Sequence, residues 1–166
     1  MPRTTKLIAR AGVIGALYIM LSLLTFTFSS GAIQLRLAEG LTLLALLYFE
    51  TVPALFIGCF LTNIITGCAL IDAVMGALIT LVAGALTYLL GRLIKNHCLK
   101  VILGGLFPIV LNALLLPLVW YWCYGQMNYA YLVQAGVLLL SQAVSVYGVG
   151  APIYYGIKRF NEREND

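Results

Sequence analysis

A chain of 166 residues that is 62% hydrophobic, with only ten Lys or Arg and six Asp or Glu, is far more apolar than a soluble domain, whose charged fraction is about a quarter. The composition excludes a soluble globular domain, and the net charge of +4 comes from bases at the ends of apolar segments, which reads as membrane orientation and not as nucleic-acid binding. The expectation is an all-α membrane protein, one integral unit over residues 1–166.

The first apolar segment covers about residues 7–28, close to the ~20 residues that a spanning helix needs, and Arg3, Lys6 and Arg10 lead into it. It exceeds the ~7 to 15 residues of a signal-peptide core and precedes further apolar segments, so it is expected to stay in the mature protein. Ala11 and Gly15, and likewise Gly12 and Ala16, are four apart, a flat strip against which another helix can pack closely. That helix can belong to this chain or to a partner.

The second segment, about residues 35–49, is expected to be helical. At 1.5 Å per residue it reaches only roughly 22 Å, against an apolar core of ~30 Å. The polar residues at its start, Gln34, Arg36 and Glu39, must then lie partly at membrane depth, where irregular backbone is tolerated only inside protein or along a watery cavity. Arg36 and Glu39 are three apart, so they share a helical face and can neutralise each other.

The third segment, about residues 53–69, opens on Pro53 in its first turn and carries Asn63 in an apolar run. The fourth, about residues 71–93, starts with Asp72 placed as a helix cap and bears a small-residue face through Gly76, Thr80, Ala83 and Thr87. A basic loop from Arg92 to Lys100 follows, with His97 and Cys98 read as solvated. The fifth segment, about residues 101–121, contains Pro108, Asn112 and Pro117, prolines that free backbone groups for neighbours to satisfy. Trp120, Tyr121, Trp122, Tyr124, Tyr129 and Tyr131 read as an interfacial aromatic belt. The sixth segment, about residues 131–157, includes Gln134, Ser141, Gln142 and Ser145 and is closed by Lys158 and Arg159.

With six spans and both termini cytoplasmic, nine of the ten bases fall on the inner side, as the positive-inside rule asks. Arg36 is the exception. Glu50 then lies inside, where it reads as solvated. The outer half collects Gln34, Arg36, Glu39, Asn63 and Asn112, with Gln142 able to join. Amides and a carboxylate offer both donors and acceptors, a set that suits a planar, neutral, hydrogen-bonding ligand such as a nucleobase. Tyr18, Phe26 and the aromatics near Trp120 are candidate stacking partners. The plainer reading of the Asn and Gln residues is interhelical hydrogen bonding, and of Arg36 with Glu39 a structural pair.

The sequence holds no HExxH, no Walker lysine motif and no nucleophile beside a base, so no enzyme activity and no cofactor are expected. Cys59, Cys68, Cys98 and Cys123 form no CxxC pair and no metal-ligand spacing; they read as unpaired structural thiols, with no metal. No inverted repeat of the secondary-transporter kind is evident. A transporter of this make-up must take its energy from partners.

The motifs Ile33-Gln34-Leu35-Arg36-Leu37-Ala38-Glu39-Gly40-Leu41-Thr42, Pro53 through Gly58-Cys59 to Asn63, Asp72-Ala-Val-Met-Gly76 with Thr80, and Pro108 through Asn112-Ala113 resemble the queuosine-precursor transporter family QueT. These are substrate-binding S components of energy-coupling factor (ECF) transporters. The resemblance covers most of the chain in order and spacing. It implies the six-helix S-component fold in the plasma membrane of a bacterium, and capture of a 7-deazaguanine such as queuine from outside the cell. Delivery would pass through an EcfT-like coupling subunit and two EcfA-type ATPases, which would hydrolyse the ATP. It also implies docking on that partner through the small residues of the first helix, here Ala11 and Gly15, with Gly12 and Ala16 beside them. The family pattern has an acidic residue near the middle of the last helix where this chain has Gln142, which disfavours a cationic aminomethyl precursor relative to a neutral base. The alternatives are an S component for another planar solute, a vitamin or tryptophan, and a small structural or pore-forming membrane protein.

Overall fold

The computed structural model describes residues 2–26, 36–125 and 130–165, and these contain helices and no strands. In chain order they form α1 (Arg3–Phe26), a 3-10 helix (Leu37–Leu46), α2 (Thr51–Ile65), α3 (Leu70–Leu93), α4 (His97–Tyr124), α5 (Tyr131–Ala143), a π-helical segment (Val144–Gly150) and α6 (Ala151–Asn165). Among the described residues four helical stretches are long and apolar enough to cross a membrane: Thr4–Phe26, Leu70–Leu93, His97–Tyr124 and the continuous Tyr131–Arg163. The 3-10 helix and α2 are shorter apolar helices. Gln34 and Tyr129 lie outside the described residues.

The second segment differs most from expectation, because it is a ten-residue 3-10 helix and not an α-helix. Its sequence explains why. A 3-10 helix has three residues per turn, so side chains at i and i+3 eclipse and form straight rows. The first row, Ala38, Leu41 and Leu44, packs in one cluster with Ile14 and Tyr18 of α1, Ala54, Leu55 and Cys59 of α2 and Ala77 of α3. In the second row Gly40 abuts Ser145 and Gly150. Leu43 and Leu46 of that row pack with Val101 and Ile109 of α4, Val146 and Tyr154. The third row is Arg36, Glu39, Thr42 and Ala45. All residues from Ala38 to Ala45 are buried, so the segment is a rod enclosed by the other helices. The rise of ~2.0 Å per residue also lets ten residues cover about 20 Å, where an α-helix would cover about 15 Å.

Opposite this rod stands a second irregular helix. Pro152 has no N–H to give the carbonyl four residues back, and just before it the chain widens to a π turn in which the Ala151 N–H donates to the Val146 carbonyl. The rod and the π segment cross at two glycines. A Cβ on Gly40 would lie 2.7 Å from the Ser145 carbonyl oxygen and 2.9 Å from the Gly150 nitrogen, and one on Gly150 would collide with the Gly40 carbonyl oxygen. Pro108 leaves the Gly104 carbonyl of α4 without its helical donor, and the buried Thr87 hydroxyl of α3 supplies one at 2.9 Å.

Long contacts define two ends. At one, Arg10 of α1 is ion-paired with Glu50 at 2.7 Å and its guanidinium lies 3.9 Å from the centre of the Tyr48 ring. The Tyr48 hydroxyl accepts from Asn161, and His97 Nδ1 is 3.1 Å from the Tyr154 hydroxyl. Glu50 is therefore not solvated: its side chain is only 12% exposed, because burying a carboxylate there requires a paired cation. His97 remains exposed but opens α4, which starts four residues before the expected Val101. This end gathers the start of α1, the end of α3, the start of α4 and all of α6 beyond Tyr154, and with them every base except Arg36.

At the other end the Tyr124 hydroxyl donates to Asp72 at 3.0 Å and accepts from the Ala69 N–H at 3.2 Å. Asp72 lies in the first turn of α3 but makes no capping bond, and Ala69 holds the N-cap position. Trp122 is 86% exposed there.

The glycine crossing predicts a sharp asymmetry. Gly150→Ala should destabilise the protein by about 1–3 kcal/mol through overpacking, whereas Gly148→Ala, where nothing lies within 4 Å of the new methyl, should be neutral or mildly stabilising in a helix. Thermal unfolding in detergent checks both. In the same assay Thr87→Val, which keeps the volume but leaves the Gly104 carbonyl unpartnered, should cost about 1–3 kcal/mol.

Candidate functional site

The polar row of the 3-10 rod organises the interior. Glu39 is fully buried. Its Oε1 accepts from the Tyr18 hydroxyl of α1 at 2.7 Å and lies 4.0 Å from Arg36 Nε, while Oε2 has no hydrogen-bond partner. A carboxylate oxygen without a donor, out of water, is costly. Tyr18 thus serves as a hydrogen-bond donor with its ring packed in the cluster of Ile14, Leu55 and Cys59, and Phe26, the other α1 candidate, is 56% exposed.

Arg36 reaches past Glu39. Its Nη2 points at Cys59 Sγ of α2 at 3.7 Å. The Asn63 amide Nδ2 points at the same sulfur, again at 3.7 Å. The Thr80 hydroxyl of α3 lies 3.6 Å from it while donating to the Gly76 carbonyl at 3.1 Å. Gly76 leaves space for Asn63, since a Cβ there would come within 3.2 Å of Nδ2. Cys59, expected to be only a structural thiol, is the point where side chains from three elements meet.

Asn112 of α4 and Gln142 of α5 are both fully buried, and neither amide has a hydrogen-bond partner on its nitrogen or its oxygen. Their level follows from the packing around them. Ile109 and Val146, one turn away on one side, share a cluster with Leu43. Leu116 and Leu138, one turn away on the other side, share a different cluster with Ile79. The two amides therefore lie in one layer between two apolar layers. Thr42, whose hydroxyl is also unpartnered, adjoins Leu43 on the same side, and Glu39 stands one 3-10 turn above it.

Of the residues that the sequence singled out, Arg36, Glu39 and Asn63 are thus joined through contacts, and Asn112 and Gln142 lie in the polar layer that Thr42 adjoins; Gln34 is not described. Thr42, Thr80 and the hydrogen-bonding role of Tyr18 were not foreseen. Thr42 carries a signal, since it continues the three-residue spacing from Arg36 and Glu39. Pro152, which sets the π segment beside this layer, was a further signal in the sequence.

The small residues of α1 divide between two roles. Gly15 faces α2: a Cβ on it would touch the Ala54 carbonyl at 3.4 Å, and a Cβ on Gly58 would lie 3.2 Å from the Gly15 carbonyl and 3.1 Å from Tyr18 Cβ. Gly12 and Ala16 are exposed. With Ala11 and Gly15 they line an apolar groove whose other wall is α2 from Pro53 to Leu61.

No curated protein and no solved structure matches the chain. A family model described as QueT transporter matches residues 8–159. That span takes in every helix contributing to the polar layer and to the groove, and on this match the chain belongs to the QueT transporter family.

Proposed function

We propose that this QueT-family protein is the substrate-binding S component of an ECF importer and that its ligand is a 7-deazaguanine such as queuine. In this reading it crosses the plasma membrane of a bacterium six times, with both termini in the cytoplasm. The observation that carries the reading is Glu39: a fully buried carboxylate with Oε2 unpartnered, accompanied by two buried amides with every polar atom unpartnered. Groups of that kind cost stability in a folded protein and become satisfied when a ligand brings matching donors and acceptors. Glu39 Oε2 takes an N–H from the amino-pyrimidinone edge of the base, and Asn112 and Gln142 pair with polar atoms elsewhere on its rim. Gln142, being neutral, favours a neutral base over a cationic precursor.

The charge pattern supports the orientation, since all bases but Arg36 gather at the Glu50 end, which the positive-inside rule assigns to the cytoplasm. Arg36 then stands on the outer side, with Glu39 and the buried polar layer beneath it. The chain has no nucleotide-binding motif, so ATP hydrolysis falls to two EcfA-type ATPases working through an EcfT-like subunit. The groove beside Gly12 and Ala16 supports docking of that subunit on α1, because small residues let a second helix come close.

Purified protein should bind 7-deazaguanine in a thermal-shift or calorimetric assay, and Glu39→Ala should weaken binding by about 10- to 100-fold while unfolding stays cooperative, the scale of losing a hydrogen bond to a buried charge. Undiminished binding by that variant would refute the role of Glu39, and equal competition by guanine would sink the deazapurine assignment. Gly12→Leu and Ala16→Leu should leave binding intact and abolish both uptake and co-purification with the ATPases. The open position of Gly12, with nothing within 4 Å, makes it a cleaner probe than Gly15.

A further inference from the structure

The donors around Cys59 have an acceptor that does not satisfy them. Arg36 Nη2 and Asn63 Nδ2 each point at Cys59 Sγ from 3.7 Å, and sulfur is a weak acceptor. Good N–H···O bonds are made at ~2.7 to 3.2 Å. Thr80, the third neighbour of the sulfur, has a better acceptor in the Gly76 carbonyl at 3.1 Å. Two nitrogen donors, one of them charged, are therefore held in position and left undersatisfied. The Arg36 side chain is 20% exposed and Asn63 is half-buried, so both lie on the accessible side of the buried Glu39.

We propose that Arg36 and Asn63 form a donor pole that receives a carbonyl oxygen of the ligand, and that Cys59 is a specificity-determining residue which keeps those donors available by accepting from them only weakly. The proposal rests on the function proposed above, which assigned Glu39 alone to the base's N–H edge. Glu39 and Cys59 are bridged by Arg36, whose Nε faces Glu39 Oε1 at 4.0 Å and whose Nη2 faces the sulfur. One guanidinium thus spans an acceptor pole and a donor pole. A planar ligand that meets both must present an N–H beside a C=O, which is the lactam edge of an oxopurine-type base. A serine at position 59 would be a stronger oxygen acceptor and would compete with the ligand for the same two donors.

The test compares two probes on the purified full-length protein, 7-deazaguanine and its 6-thio analogue, which keeps the ring N–H and the exocyclic amine and replaces only the carbonyl oxygen by sulfur, a weak acceptor. The wild type should bind the oxo compound at least about tenfold more tightly, the scale of one hydrogen bond to a charged group. Cys59→Ser and Asn63→Leu should each shrink that ratio toward one, mainly by weakening the oxo compound. Equal affinity of the wild type for the two probes overturns the donor pole while leaving the deazapurine assignment standing. An unchanged ratio in both variants overturns the roles of Cys59 and Asn63. Failure of both probes to bind the wild type overturns the function itself, and this inference with it.

Discussion

The structure depends on burying one carboxylate inside an apolar bundle. Glu39 is placed there by a rod whose three side-chain rows each face different surroundings, and only a three-residue repeat keeps those rows separate along ten residues. The 3-10 geometry is less favourable than the α-helix in hydrogen bonding. It persists because enclosure on all sides rewards alignment of the rows more than local backbone preference. Its neighbours then fall into place: Tyr18 must reach Glu39, α2 must bring Cys59 and Asn63 under Arg36, and α4 and α5 must carry their amides to the same layer.

Much of this was legible in the sequence, for reasons that can be named. Apolar runs bounded by charge marked the helices to within about four residues, except at the last, which runs on to Asn165, eight residues past the expected end at 157. The isolated Arg36 marked the polar stretch, because a base far from all others stands out in a chain with so few. The shortness of the second segment announced that polar backbone would lie deep, but not that it would be a 3-10 helix, since the burial of all three rows depends on partners distant in sequence. Glu50 looked like a surface acid because its partner, Arg10, is 40 residues away. The roles of Tyr18, Cys59 and Thr80 were hidden for a like reason. Each belongs to an ordinary apolar or small-residue helix face, and only the crossing of α1, α2 and α3 brings them to Arg36 and Glu39.

α1 connects the two ends of the molecule. Its inward face holds Tyr18 against Glu39, and its first half holds Arg10 against Glu50, so both limits of the rod region are tied to one helix. Its outward face carries the groove, and the wall between groove and site is thin: Gly15, Gly58 and Tyr18 touch within it. A helix pressed into the groove therefore bears on the same α1 backbone that positions the Tyr18 hydroxyl.

The contact between Gly40 and Gly150 is backbone against backbone, with no side chain on either partner. Most close-packed pairs in proteins can change together, one residue shrinking as its neighbour grows. Here both positions already hold the smallest residue, so neither can give way to the other, and a change at one has no second-site remedy at its partner. Sequence drift along this crossing is closed in both directions, and the distance between the rod and the last membrane segment is held by the absence of atoms and not by their fit.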